Sequence, residues 1–228
     1  MGVKLDNVVP FGRSFEEYGN MFDLLPVDFE RRILGVGDGP ASFNAELHKR
    51  GVRVTSVDPI YEFEAEDIRS RFYECVDDII AQVAATAHDY VWGYHKSPED
   101  LRANRTRALE TFVADFPSGR EEGRYIPGSL PQLPFDDDQF DLALSGHFLF
   151  LYSDHFSLDF HHRSVTEMLR VAREVRIFPL ITLMQEPSPH LPALREWLAR
   201  DGFHTEVRHT HYELQRGGNE MLVITRTR

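Results

Sequence analysis

The sequence predicts one α/β domain: a mostly parallel, seven-stranded sheet with helices on both faces and an antiparallel hairpin at the C-terminus. Three observations carry this prediction. Short β-rich runs alternate with helical segments, as parallel strands and their crossovers do. The first of these runs, Arg32-Ile33-Leu34-Gly35-Val36-Gly37, ends in glycines and opens a helix. The last two runs flank Arg216-Gly217-Gly218-Asn219, which reads as a hairpin turn. The chain has 228 residues, enough for one domain with a substantial core.

Each element has its own signal. The stretch through Pro26 is a turn-rich lead-in with a short helix over 15–22. The run ending at Gly37 is short and apolar, as a buried parallel strand is. Pro40 falls where the first turn of a helix accepts proline. Phe43 and Leu47 share a helical face, His48, Lys49 and Arg50 suit the last turn, and Gly51 supplies the stop. Residues 52–58 form a second β-rich run, closed by Pro59. Residues 64–123 break the alternation, because a crossover between neighbouring parallel strands needs far less chain. They read as a helical insertion carrying Phe72, Tyr73, Tyr90, Trp92 and Tyr94. Pro127 weakens a strand at 124–127, and 140–145 makes a stronger one. A helix over 158–172, a buried strand over 175–180 and a helix over 191–200 follow. Leu191, Leu194 and Leu198 line one face of that last helix and Gly202 ends it. Strands over 205–213 and 221–225 complete the sheet.

Composition narrows the function. Lys and Arg total 25 against 37 Asp and Glu, a formal charge of −12. A body this acidic repels phosphate backbones, so nucleic acid is disfavoured as a partner, and a small molecule or a protein stays open. No apolar run approaches the roughly 20 residues that cross a bilayer. The N-terminus, Met1 to Asp6, lacks a signal-peptide pattern, and Asp6 stands where a myristoylation motif needs Ser or Thr. Cys75 is the only cysteine, which excludes an internal disulfide and fits a reducing cytoplasm. Oligomeric state is open, with a homodimer among the options.

The glycine loop Gly35-Val36-Gly37-Asp38-Gly39 carries the chemistry. Glycines let backbone approach a ligand closely, and free N–H groups at a helix start face the same space. Asp58, at the end of the next strand, can accept hydrogen bonds from both hydroxyls of a ribose. Dinucleotide binders show Gly-x-Gly-x-x-Gly, but here the third glycine comes one residue early and Pro40 stands in its place. The Gly-x-Gly-x-Gly form resembles motif I of the class I S-adenosylmethionine (SAM)-dependent methyltransferases. Leu133-Pro134-Phe135-Asp136-Asp137-Asp138-Gln139-Phe140-Asp141-Leu142 resembles the stretch before that family's fourth strand. The lead-in Arg13-Ser14-Phe15-Glu16-Glu17-Tyr18 is similar to the segment lying over SAM in many relatives. The resemblance implies a Rossmann-like fold, SAM as cofactor, and a cofactor site built from Gly35, Val36, Gly37, Asp38, Gly39, Asp58, Pro59, Gly128, Ser129, Leu130, Ser145, Gly146 and Tyr18. In one departure, Ser129 occupies the position where relatives often place an acid that meets the adenine amino group.

The implied reaction is SN2 methyl transfer to an acceptor, expected to be a small molecule because no Lys/Arg run suggests a basic groove, and it depends on alignment and desolvation more than on any obligatory base. His147, after the fourth strand, is the candidate base; the simpler reading is a hydrogen-bonding loop histidine. Tyr152 and Asp154 lie near it in sequence. Tyr90, Trp92, Tyr94 and His95 either cap an acceptor pocket or bury the insertion. His155, His161 and His162, and the pair His209 and His211, lack a metal-binding spacing, so no metal is expected. Asp136, Asp137 and Asp138 read as a solvated turn. The alternatives to a methyltransferase are a non-catalytic SAM- or nucleoside-binding sensor or scaffold and, more weakly, an NAD-dependent oxidoreductase.

Overall fold

The computed structural model describes residues 9–227. The readings of the Met1 to Asp6 terminus lie outside the described residues. Seven strands form one sheet: β1 (Ile33–Val36), β2 (Val54–Val57), β3 (Tyr125–Ile126), β4 (Phe140–Gly146), β5 (Ala172–Phe178), β6 (Phe203–His209) and β7 (Glu220–Arg226). Their spatial order is β3-β2-β1-β4-β5-β7-β6. All pairs from β3 to β5 are parallel, and β7 runs antiparallel to both of its neighbours. The chain starts in the middle at β1, builds outward to β3, and returns to β4. The order therefore reverses between β1 and β4, and crevices beyond the carboxyl ends of strands at such a switch point bind ligands.

Central β1 is buried along its whole length, as its apolar run requires. Helix α1 (Phe15–Met21) begins with a capping box in which Ser14 and Glu17 satisfy each other's backbone N–H groups. Helix α2 (Phe43–Lys49) follows the glycine loop. Pro40 lies upstream of it, in the loop rather than the first turn. The difference arises because the lead-in holds this loop open: Arg13 carbonyl accepts the Ser42 N–H at 3.0 Å.

Two long helices, α3 (Ala65–Ala85) and α4 (Pro98–Glu121), occupy most of 64–123. The buried face of α3 is Ile68, Phe72, Val76, Ile79 and Val83, an unbroken helical stripe. Ile68, Phe72 and Val76 pack with Phe112 and Phe116 of α4 and Tyr125 of β3 in one aromatic-rich cluster, while Ile79 and Val83 join a second cluster with Tyr90 and Leu101. Ser97 caps α4 by accepting from the Asp100 N–H.

Three boundaries differ from the sequence expectation. Helix α5 (Leu158–Val171) runs directly into β5, so the strand starts at Ala172 and not at Val175. Exposed Arg173 and half-buried Glu174 hide that start from a search for apolar runs. Strand β6 covers 203–209 and not 205–213. It is an edge strand whose side chains alternate between half-buried and exposed, which leaves only a weak apolar signal. The connection to β7 is a long loop over 210–219 with Gly217 and Gly218 near its tip, not a tight hairpin. That loop docks on the α3–α4 connection: Val91 N–H donates to the Leu214 carbonyl at 2.8 Å. Helix α6 (Leu191–Arg200) buries Leu194 and Leu198 as its pattern requires.

Candidate functional site

A cavity of about 430 Å³ opens at the carboxyl ends of β1, β2 and β4. Val36, Gly37, Asp38, Gly39, Asp58, Pro59, Gly128, Ser129, Leu130, Gly146, His147 and Tyr18 all line it. Gly35 and Ser145 do not. The cavity's lining residues fall into two groups, here called lobes. One lies along the glycine loop, β2 end and β3 exit; the other lies under α1, α3, α4 and the 210–219 loop.

The first lobe is built around two carboxylates. Gly37 and Gly39 have φ of 70° and 55°, left-handed conformations that glycine adopts without strain. The Gly37 N–H donates to the Val57 carbonyl at 2.9 Å, which fixes the loop against β2. Asp58 accepts from the Gly39 N–H at 2.8 Å on Oδ2 and from the Ile60 N–H at 2.9 Å on Oδ1. Each oxygen keeps a second lone pair. Burial pushes the Asp58 carboxyl up to about 6 despite those two bonds. Asp38 turns away from solvent: Tyr18 donates to Oδ1 and Ser56 to Oδ2, each at 2.7 Å. Burial raises its carboxyl to about 7. A Cβ at Gly35 would lie 1.8 Å from Asp38 Oδ2, so Gly35 is the floor on which that carboxylate rests. Gly128 allows a similar close approach, since its Cβ would meet Val57 Cγ2 at 2.9 Å. Ser129 is exposed at the mouth, and its carbonyl accepts the Gln132 N–H at 3.2 Å.

His147 stands where the lobes meet. It has φ of 55°, and its N–H donates to the Phe178 carbonyl at 2.6 Å. Its Nδ1 is buried and makes no hydrogen bond. Burial, with Arg13 and Arg105 nearby, holds the imidazole well below its ordinary value, so it is neutral at neutral pH.

Behind the second lobe lies a buried polar network centred on Glu17, whose part in it the sequence did not announce. Glu17 is completely buried and fully used. Its Oε2 accepts from Arg105 at 2.6 Å and from the Ser14 N–H at 2.9 Å; its Oε1 meets Tyr212 Oη at 2.8 Å and His95 Nε2 at 3.1 Å. Burial opposes ionisation of Glu17, but Arg105 and His95 override it and hold the carboxyl well below its usual range. A signal for Arg105 existed. Leu101, Arg105, Ala108 and Phe112 share one buried face of α4, so an arginine interrupts an apolar stripe at helical spacing. Tyr212 had no such signal, because only the 210–219 loop brings it across the sheet.

Of the aromatic group in 64–123, Tyr90 lines the cavity. Trp92 is pinned to the Ala87 carbonyl, Tyr94 faces Glu16, and His95 joins Glu17. Tyr152 lines the cavity, whereas Asp154 is exposed. His161 is buried with both ring nitrogens 2.9 Å from carbonyls of Ser157 and Leu149, while His162 meets Asp201 and His155 is exposed. His209 and His211 face Glu220 and Asp23. Among the described residues no three His, Cys, Asp or Glu side chains group as metal ligands, and no helix is long and apolar enough to cross a membrane. Asp137 is tied to Arg170 at 2.7 Å, which also bonds the Leu133 and Phe135 carbonyls and so fixes the turn before β4.

Sheet order, glycine loop and acidic β2 end together define the fold of the class I SAM-dependent methyltransferases. Among solved structures, mitomycin 7-O-methyltransferase MmcR is similar with a TM-score of 0.51 at 12% identity, over 93% of this chain and 54% of that one. Magnesium protoporphyrin IX methyltransferase from Synechocystis PCC 6803, with bound SAM, has a TM-score of 0.44 at 12% identity, over 86% of this chain and 70% of that one. No protein-family model matches the sequence. The chain is 34% identical over 226 residues to the uncharacterized protein MJ0045 of Methanocaldococcus jannaschii, covering 98% of this chain and 99% of the other, and it belongs to that protein's family.

Proposed function

We propose that the protein is a SAM-dependent methyltransferase acting on a small-molecule acceptor. The observation that carries this reading is one continuous cavity with a donor lobe at the glycine loop and a second, largely apolar lobe, joined at Gly146 and His147. The residues of the first lobe fit the cofactor. Open space lies over Gly39, where a Cβ would meet nothing within 4 Å, and Asp58 keeps lone pairs free for ribose hydroxyls. Ile60, Leu130 and Leu133 offer an apolar slot for a purine, which Ser129 at the rim can hydrogen-bond.

SAM, when bound, supplies an electrophilic methyl group on a sulfonium. The chain's part is alignment and exclusion of water. Tyr18 and Met21 of α1 close the cavity from above the sheet. His147 presents a neutral, unbonded Nδ1 and can accept a hydrogen bond from an O–H or N–H acceptor. Its low basicity suits orientation of the acceptor better than full proton abstraction.

The test is formation of S-adenosylhomocysteine (SAH) from SAM across a panel of small-molecule acceptors. Product that appears only with an acceptor present supports the reading. Methyl groups delivered to protein or nucleic acid but to no small molecule would contradict the acceptor class. Ser129, which lacks the charge of an acid at that position, favours a second reading: a non-catalytic SAM-binding module. That reading predicts tight SAM binding with no turnover on any panel member.

A further inference from the structure

The second lobe holds more positive charge than its own residues neutralise. We propose that the methyl acceptor carries a carboxylate, held by Arg13 and Arg105 beside an apolar body; this rests on the methyltransferase reading. Arg105 is completely buried and spends only one of its nitrogens: Nη1 donates to Glu17 and to Asn104 Oδ1. Its Nε and Nη2 are buried without a hydrogen bond, and the Tyr212 oxygen, which donates its proton to Glu17, lies close enough to help hold the guanidinium charged. Arg13 donates to the Phe11 carbonyl, and its Nε is likewise buried and unbonded. Both arginines line the cavity, and their guanidinium groups flank the Phe11 ring, at 5.9 and 5.4 Å from its centroid.

Unsatisfied buried N–H groups cost free energy, and charged ones cost more. Burial and the neighbouring Arg105 already lower the Arg13 value to about 10. Glu17 is the one carboxylate that pairs with these cations among the described residues, and its oxygens are already committed to Arg105, Ser14, Tyr212 and His95. Asp38 and Asp58 belong to the donor lobe. The two guanidinium groups outnumber the one carboxylate that pairs with them, which suits an anionic ligand. Planar N–H pairs also match the geometry of a carboxylate.

The rest of the lobe specifies the acceptor's body. Ile79 and Val83 of α3, Leu101 of α4, Leu214 of the 210–219 loop, and Leu151 and Leu183 supply apolar walls. An aromatic or aliphatic acid fits these walls. A sugar or a polyamine would leave its polar groups unpaired there.

The test uses matched pairs of acids and their amides, aromatic and aliphatic, from two to ten carbons. Each is titrated into SAH-saturated protein and followed by ligand-observed NMR. At least one acid is expected to bind about tenfold or more tightly than its amide. If no acid in the series outbinds its amide, the proposal is overturned. A second arm separates the acceptor's carboxylate from that of the donor's own aminoacyl tail. Arg13→Met, which breaks no ion pair among the described residues, is titrated with SAH and with 5′-methylthioadenosine, which lacks that tail. The proposal expects loss of the acid preference with both nucleoside affinities changed by less than about threefold. A loss for SAH alone assigns Arg13 to the donor and overturns the proposal. Failure of wild-type protein to bind SAH at all would instead remove the methyltransferase reading, so the two failures are distinct.

Discussion

Asp58 combines two constraints that make it measurable. Its oxygens are fixed by the Gly39 and Ile60 N–H groups, and burial sets its carboxyl at about 6. Ribose hydroxyls donate to the ionised form, so ligand binding favours loss of the proton. SAH affinity should therefore rise with pH up to about 6 and level off above it. In Asp58→Asn the amide group would face those N–H donors, and affinity should fall by roughly 1–3 kcal/mol with the rise near that pH abolished. Calorimetry at a series of pH values reads both effects. Glu17 gives a stability counterpart. Glu17→Gln leaves the buried Arg105 guanidinium without its carboxylate, and should cost about 3–5 kcal/mol in urea unfolding. The sequence displays Asp58 openly, because a carboxylate closing the strand after a glycine loop has a recognised spacing. Glu17 is visible only as the end of a capping box; its larger role depends on three partners far away in the chain.

At the scale of elements, the lead-in and the 210–219 loop matter most. The lead-in is anchored at both ends: Glu17 joins α1 to α4, and Asp28 pairs with Arg176 of β5, whose Nη1 also bonds the Phe22 carbonyl at 2.9 Å. Between these anchors Tyr18 reaches Asp38, so α1 roofs the glycine loop in a fixed position. The loop's own floor is equally constrained. In Gly35→Ala the new methyl displaces the Asp38 carboxylate from Tyr18 and Ser56, and the variant should lose about 1–3 kcal/mol or more of stability, checked by thermal unfolding. Elements with strong periodicity were readable in advance: β1, β4, α5, α6 and the helical character of 64–123. The start of β5, the end of β6 and the long β6–β7 connection were not. Their boundaries are set by pairing partners, such as Ala172 opposite Phe140, and not by local hydrophobicity.

Across the whole molecule, the sheet order places the two lobes on either side of the β1–β4 switch point. On the proposed reading, that arrangement lets a donor and an acceptor meet at Gly146 and His147 while α1, α3 and α4 exclude water. The donor lobe was legible because one short stretch, 35–58, supplies most of it. The second lobe was not, because its walls come from several separate segments of chain. Ligand that binds only the folded state should stabilise the whole domain. SAH at a hundred times its dissociation constant contributes about 2.7 kcal/mol, and should raise the melting temperature by roughly 5–10 °C.

The central claim is that the glycine loop and Asp58 hold SAM. Calorimetric titration of SAH into the wild-type protein and into Asp58→Asn tests it most directly. The account predicts one site per chain in the wild type and an affinity about tenfold to a hundredfold weaker in the variant. No binding by folded wild-type protein, or equal affinity in the two proteins, would contradict it.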